Sequence, residues 1–363
     1  MSLLHQIALT LIKNVGSVTA KYLLAHFGTP EAIFAASEEQ LMQVDRLGSF
    51  KASEILRTNA LMLAAGQLKF LDQHQIKVLF YTEDSYPQRL KDCSDAPVLL
   101  YYKGNADLNH PRIVSIVGSR MASPYGQMLC QQLVALLQDY DVLVVSGLAH
   151  GIDVTAHKQS LLHHIPTVGV LGHGLDRIYP AVHRRIADSM LENGGLLTEF
   201  PLNTTPEKAN FPKRNRVIAG LADVVVVVEA AIKGGALITA GIADSYNRDV
   251  FAFPGRTTDE YSQGCNFLIK TNRAGMISQA KDLVYYMGWE TIERLAPLTE
   301  KPVPAGLSGM EMTLVKFLKQ APLGIDELGM KAGIQQGKLA LHLLSLEMKG
   351  VLISLPGKVY QLI

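Results

Sequence analysis

The sequence predicts an α/β protein with a mostly parallel sheet, bracketed by two smaller helical modules. Three patterns carry that prediction. Apolar residues fall at helical spacing before about residue 70, short β-branched runs alternate with helix-length segments from about 76 to 290, and three helices and a hairpin follow residue 307. The composition permits such a fold, since 363 residues with 48% hydrophobic and 18% charged suffice for two or three domains and exclude disorder over most of the chain. With 34 Lys+Arg against 33 Asp+Glu the net charge is +1, which excludes a uniformly basic coat and leaves room for local basic patches. Cys93, Cys130 and Cys265 lie far apart with no CxxC pair. That spacing excludes a disulfide framework and a zinc knuckle and makes a reducing cytoplasm the expected location. No cationic stretch followed by an apolar run opens the chain, and no run approaches the roughly 18 apolar residues of a membrane span.

The first module, residues 1–72, is expected to be helical because Leu3, Ile7, Leu11 and Ile12, then Ala20, Leu23, Leu24 and Phe27, share faces at helical spacing. Gly16 and Gly48 each precede a helical pattern, Thr19 to His26 and Lys51 to Arg57, so the segment resembles a doubled helix-hairpin-helix or SAM-like bundle. Such hairpins can offer N–H groups to a phosphate. A simple packed module is the other reading, because the first hairpin has one Gly where DNA-binding versions usually have two.

Residues 73–290 are expected to hold the sheet. The candidate strands are Ile76–Tyr81, Val98–Tyr102, Ile113–Val117, Val142–Ser146, Thr167–Leu171, Leu196–Glu199, Val224–Val228, Val250–Phe253 and Met276–Ile277. Several are apolar on both faces, as strands sandwiched between helices must be. In such sheets ligands bind outside the carboxyl ends of the strands, where the loops beginning at Gly118, Gly147, Gly172, Glu229 and Pro254 fall. Residues 291–306, with Pro297, Pro302 and Pro304, are expected to form a linker. Residues 307–363 then read as helices Met310 to Leu318, Ile325 to Ala332 and Lys338 to Lys349, with a hairpin turning at Pro356-Gly357. Three helices and a two-stranded wing make a winged helix, a module that enters a DNA groove or docks on protein. The exposed residues expected on its third helix are Lys338, His342 and Lys349.

The strand-end loops carry the chemistry. Gly118-Ser119-Arg120 combines a backbone-exposing turn, a hydroxyl and a guanidinium, a composition suited to phosphate. Gly147 and Gly151 make a turn into another helix start, where Asp153 is expected to cap and His157 to support the loop rather than to bind metal. Asn210-Phe211-Pro212-Lys213-Arg214-Asn215-Arg216 puts three cations within four residues at a helix start, whose positive end disfavours them unless an anion is supplied. The expected anion is phosphate. Glu229 leads into a turn with Lys233, Gly234 and Gly235, and Gly255, Asn266 and Lys270 add a Gly, an amide and a cation to the same rim. Neither a Walker A loop nor a dinucleotide fingerprint occurs, and no GxSxG, HExxH or nucleophile with paired carboxylates is present. No catalytic residue, metal or cofactor is expected.

Taken in order, VGSR, SGLAHGIDVTAH, GLDRIYP, TEFP, NFPKRNRVIAGLAD, VVVVEAAIKGGALITAGIA, VFAFPG and GCNFLIK resemble the motifs of the DNA processing protein A (DprA, or Smf) family over essentially the whole chain. The resemblance implies an extended Rossmann-like domain that binds single-stranded DNA, an N-terminal SAM-like domain and a C-terminal winged helix. It also implies a homodimer that protects incoming DNA and helps load RecA recombinase during natural transformation, with no membrane attachment. By motif, Gly118, Ser119, Arg120, Asn210, Phe211 and Lys213 to Arg216 would line the DNA pocket. Gly147, Lys233, Gly234, Gly255, Asn266 and Lys270 would shape or complete it. The chain departs from the family at Gly234-Gly235, where relatives have Ser-Gly, at Thr271-Asn272-Arg273-Ala274, and at His173, where a small residue is usual. The alternative is a nucleotide-binding or nucleoside-monophosphate-hydrolysing protein of the related lysine-decarboxylase-like fold. Its PGGxGTxxE loop has a catalytic Glu that KGGALITAGIAD lacks.

Overall fold

The computed structural model describes residues 2–289, 307–319, 323–334, 336–355 and 359–362. The chain divides into two compact units, Met1–Ile292 and Glu293–Ile363.

The first unit opens with six helices: α1 (Leu3–Leu11), α2 (Ser17–Phe27), α3 (Pro30–Ala35), α4 (Glu38–Met42), α5 (Gly48–Leu56) and α6 (Ala60–Gln73). Local chemistry sets their ends. Thr29 caps α3 by accepting from the Ala32 N–H at 3.2 Å, and Ser37 and Gln40 form a capping box on α4. Their shared core includes Ile7, Leu23, Ile33, Leu41 and Ile55, and continues through Phe80, Leu99 and Tyr101 onto the first two strands. Helical segment and sheet therefore share a core, although the sequence pattern changes between them.

The sheet follows in the order β1 (Lys77–Phe80), α7 (Gln88–Lys91), β2 (Leu99–Gly104), β3 (Ile113–Val117), α8 (Pro124–Leu137), β4 (Leu143–Ser146), α9 (Ile152–Leu162), β5 (Thr167–Val170), α10 (Arg184–Met190) and β6 (Gly194–Thr198). It continues with α11 (Asn210–Leu221), β7 (Val224–Val227), α12 (Gly235–Ser245), β8 (Asp249–Ala252), α13 (Gln263–Lys270), β9 (Gly275–Met276) and α14 (Ala280–Tyr286). All nine expected strands form, with ends shifted by at most two residues. Shifts of two fall at the end of β2 and at the start of β6, which begins on two glycines. Gly194 has φ 141°, and a Cβ there would overlap the Thr167 backbone, so close approach rather than strand propensity selects glycine.

Strand order is β1-β2-β6-β5-β4-β3-β7-β8-β9, parallel except where β2 meets β1 and β6. The parallel strands β3 to β7 are buried throughout, sandwiched between apolar layers that include Val134, Leu137 and Ile152 on one face and Val217, Leu221 and Ala240 on the other. From β3 the chain steps outward through β4, β5 and β6, then returns along α11 to place β7 on the other side of β3. The loops leaving β3 and β7 therefore part in opposite directions, and a crevice must open between them.

The second unit contains α15 (Gly309–Leu318), β10 (Leu323–Gly324), α16 (Ile325–Ala332), α17 (Gln336–Met348), β11 (Leu352–Leu355) and β12 (Val359–Leu362), with antiparallel strands in the order β10-β12-β11. Leu314, Leu318, Leu328, Leu339, Leu343, Leu346 and Leu352 fill its core. This is a winged helix; β10, two residues long, gives no sequence signal. The expected linker 291–306 and turn Pro356-Gly357 lie outside the described residues. Among the described residues no helix is long and apolar enough to cross a membrane.

Candidate functional site

A cleft of about 670 Å³ lies at the crevice between β3 and β7. Gly118, Ser119 and Arg120 enter it from the end of β3, Phe211, Arg214 and Asn215 from the start of α11, and Gly234 and Gly235 from the start of α12. Two helix N-termini thus face it, each with a positive end. Arg120 is exposed, with its guanidinium carbon 5.2 Å from the centre of the Phe211 ring; that of Arg214 is 6.0 Å away. The Tyr179 ring lies 6.2 Å from Phe211. Cations, amides and aromatic faces converge here.

The Arg120 loop is held from both sides. The Ser119 N–H donates to the Glu229 carbonyl at 2.7 Å, and the Ile152 N–H to the Ser119 carbonyl at 3.1 Å. Glu229, buried, accepts from the Ser123 N–H at 2.8 Å and the Ser123 hydroxyl at 2.5 Å, while Ser123 Oγ accepts from the Gly126 N–H to cap α8. Gly151, at φ 78°, lets the chain pass against Ser119 and Arg120 where a Cβ would collide. The Ser119 amide is thereby spent within the protein. Its hydroxyl accepts from the Met121 N–H at 3.0 Å and keeps its own proton to donate.

The cation run does not act as a block. Arg214 turns inward to 6% exposure and donates to the Val170 carbonyl and, at 3.1 Å, to Asn215 Oδ1. Arg216 pairs with Glu199 and the Asp95 carbonyl. The anion that offsets Arg216 is therefore a carboxylate of the protein, which corrects the expectation of a phosphate. Lys213 is exposed on α11 but does not line the cleft; Lys208, just before the helix, does.

Gly147 lies where Asp153 and Arg214 meet, and a Cβ on it would overlap both. Asp153 is not a cap on α9, as its position had suggested: it accepts from the Ala149 N–H at 3.3 Å and lines the cleft. Burial pushes its carboxyl above the usual range, opposed by the Arg214 charge, and burial equally works against Arg214, which Asp153 supports. His157 does brace this loop. Its Nε2–H donates to the Gly147 carbonyl at 2.5 Å, leaving Nδ1 to accept from the Thr167 hydroxyl at 2.7 Å, and burial lowers its pKa to about 4.

The remaining expected residues stand off the cleft. Asn210 is buried and donates to the Thr205 carbonyl at 3.2 Å, anchoring the start of α11. Lys233 and Lys270 are exposed elsewhere. Gly255 lines a neighbouring groove with Tyr125 and Arg256, and Asn266 holds the Gly255 backbone with two hydrogen bonds of 3.1 and 2.9 Å. Among the described residues no group of His, Cys, Asp and Glu could hold a metal. Burial pushes the Cys130 and Cys265 thiols up to about 12, far from a nucleophile's range.

A family model described as DNA recombination-mediator protein A matches residues 77–288, the domain that carries this cleft. Protein Smf of Synechocystis sp. is 32% identical over 98% of both chains. The chain belongs to the DNA recombination-mediator protein A family. In keeping with that family, a helix-hairpin-helix motif matches residues 7–60 and a DprA winged helix domain matches 299–358. DNA processing protein DprA of Streptococcus pneumoniae is 41% identical over 202 residues, covering 56% of this chain and 71% of the relative. An X-ray structure of the S. pneumoniae protein superposes with TM-score 0.63 at 32% identity, covering 78% of this chain and 97% of that one. DNA processing protein A of Helicobacter pylori, whose structure is described for its single-stranded DNA binding mode, superposes with TM-score 0.54 at 27% identity, covering 60% of this chain and 98% of that one.

Proposed function

We infer that this protein binds single-stranded DNA along the β3–β7 cleft, protects it, and helps load RecA recombinase on it during natural transformation. The observation that carries the reading is the pairing of Arg120 with Phe211 at the mouth of a crevice faced by two helix N-termini. Guanidinium, hydroxyl and helix-end amides suit phosphates, and the faces of Phe211 and Tyr179 suit bases. The relatives named for DNA processing, and the H. pylori protein described as binding single strands, support it. Ser119, Arg120, Lys208, Phe211 and Arg214 are assigned to the strand; Gly118, Gly147, Asn215 and Gly234 shape its bed. Lys213 reaches a longer strand from outside the cleft. A homodimer would present two such clefts to one strand and raise avidity.

The role is binding, not catalysis. Glu229, the acid that precedes the Gly234-Gly235 turn, spends both oxygens on Ser123, so a nucleotide-hydrolysing reading lacks its acid–base group. Titrating oligothymidylate at several salt concentrations tests the proposal. Log affinity is expected to fall with log salt with a slope of about −0.7 per phosphate engaged. Affinity indifferent to salt would overturn it.

A further inference from the structure

Beside the cleft, and sharing Arg120, Ala149, Tyr179, Phe211 and Arg214 with it, lies a smaller cavity of about 50 Å³. It exceeds the roughly 10–15 Å³ that one water needs, yet it is too small for a nucleotide. Gly172 and His173 line it, and the Phe211 ring packs so close over Gly172 that a Cβ there would sit 3.2 Å from it. His173 is 1% exposed. Its Nδ1 is 2.9 Å from the Gly174 carbonyl and its Nε2 has no hydrogen-bond partner.

The unpaired nitrogen has a defined chemistry. Burial pushes His173 below its ordinary range, against the Gly174 and Tyr179 carbonyls, which both favour the charged ring. A neutral imidazole carries one N–H, and at 2.9 Å from a carbonyl oxygen Nδ1 must be the donor. That leaves the buried Nε2 lone pair without a donor. Buried acceptors are rarely left so, and such an exception points to a missing donor.

We propose that the cavity is a base-reading subsite, in which His173 Nε2 accepts a hydrogen of an exocyclic amino group on a base of the bound strand. The inference rests on the single-strand reading above and deepens it. Phosphate contacts alone carry no sequence information, whereas an amino group distinguishes cytosine and adenine from thymine. Cytosine presents only its amino edge to the cavity, its phosphates remaining at Arg120.

Wild-type protein is titrated with three strands of equal length and equal phosphate count: oligodeoxycytidylate, oligothymidylate, and a strand of pyrimidin-2-one, which is cytosine without its amino group. Cytidylate is expected to bind about fivefold to tenfold more tightly than the other two, the value of one net hydrogen bond. The ratio of cytidylate to thymidylate affinity is expected to fall to about one in His173→Ala and in His173→Phe, which keeps a ring of similar size without the acceptor. Equal binding of cytidylate and pyrimidin-2-one by the wild type overturns the proposal with no variant needed. So does a cytidylate preference that survives in a folded His173 variant, and so does a cavity filled only by water, which gives no preference among the strands. Failure of the wild type to bind any of the three removes the single-strand reading itself, and this inference with it.

Discussion

At the β3–β7 cleft the chain buries Asp153 and Arg214 beside two helix N-termini, whereas the outward face of α17 in the winged helix presents Leu341, Leu344 and Met348, 55–82% exposed. Those three residues follow one stripe at i, i+3 and i+7. Lys349, expected among the contacts, instead donates to both oxygens of Glu311 at 2.9 Å, and hydrogen bonds from Ser345 and Lys349 hold that carboxyl down at about 2. His342 is half-buried and Lys349 is tied to Glu311, which leaves Lys338 of the expected three to present its charge along α17. A surface that binds nucleic acid needs fixed cations that displace counterions from the phosphates. The cleft has them, and the helix that would enter a groove shows an apolar stripe suited to a protein partner.

The largest expected effect breaks the charge arrangement under the cleft. Asp153→Ala leaves Arg214 buried without the charge that favours its ionised form, and a buried charge left uncompensated costs up to about 3–5 kcal/mol. A denaturant melt is the measurement. A loss of only about 0.5 kcal/mol, the scale of an ordinary surface change, would show that buried Arg214 does not depend on the Asp153 charge.

Next comes pH. The His157 pKa of about 4 lies below the unfolded value of 6.5, so its protonation favours the unfolded chain. The stability it contributes is complete above about pH 6.5, falls as pH drops toward about 4, and is gone below that. Relative to His157→Gln, the wild type is expected to lose about 3.5 kcal/mol across that window, which is 2.5 pH units at about 1.4 kcal/mol each. Taking the difference between the two proteins cancels Asp153, whose raised pKa acts in the opposite direction. Parallel stability curves would contradict the bracing of Gly147.

Arg120→Glu sharpens the comparison through binding. Charge-assisted hydrogen bonds are worth about 1.5–3 kcal/mol, so at low salt oligothymidylate affinity is expected to fall roughly 10- to 100-fold, with the salt slope reduced by about 0.7. The fold should be unchanged because the side chain is exposed. Normal affinity in a folded variant would remove this loop from the strand's path.

The sheet was legible because its central strands are buried on both faces and so read as continuous β-branched runs, and Arg120 and Phe211 were legible because they sit at a strand end and a helix start. Pairing across the fold was not. Nothing near Arg216 announces Glu199, which lies 17 residues earlier at the end of another strand, and Glu229 meets Ser123 across 106 residues. Lys208 stands alone in a loop, without the local density of cations that marks the run after it. Asn266 was readable as an amide on the rim, but only geometry shows it turned onto the Gly255 backbone.

The smallest expected effect lies on α17. Lys338→Glu with Leu344→Glu reverses one exposed cation and puts an acid into the apolar stripe of the full chain. If the winged helix took part in holding the strand, two acids on its groove-entering helix would repel phosphates at contact distance, and affinity would fall as steeply as for Arg120→Glu. If that face serves a protein partner, only long-range repulsion remains, and at 0.15 M salt it is screened beyond about 8 Å. The expected change in oligothymidylate affinity is therefore less than about threefold, with the salt slope unchanged, since no phosphate contact is lost. Both side chains are exposed, so stability should shift by no more than about 0.5 kcal/mol and a thermal melt should overlay that of the wild type. A tenfold loss with a reduced slope would put α17 on the DNA and erase the contrast between the two regions.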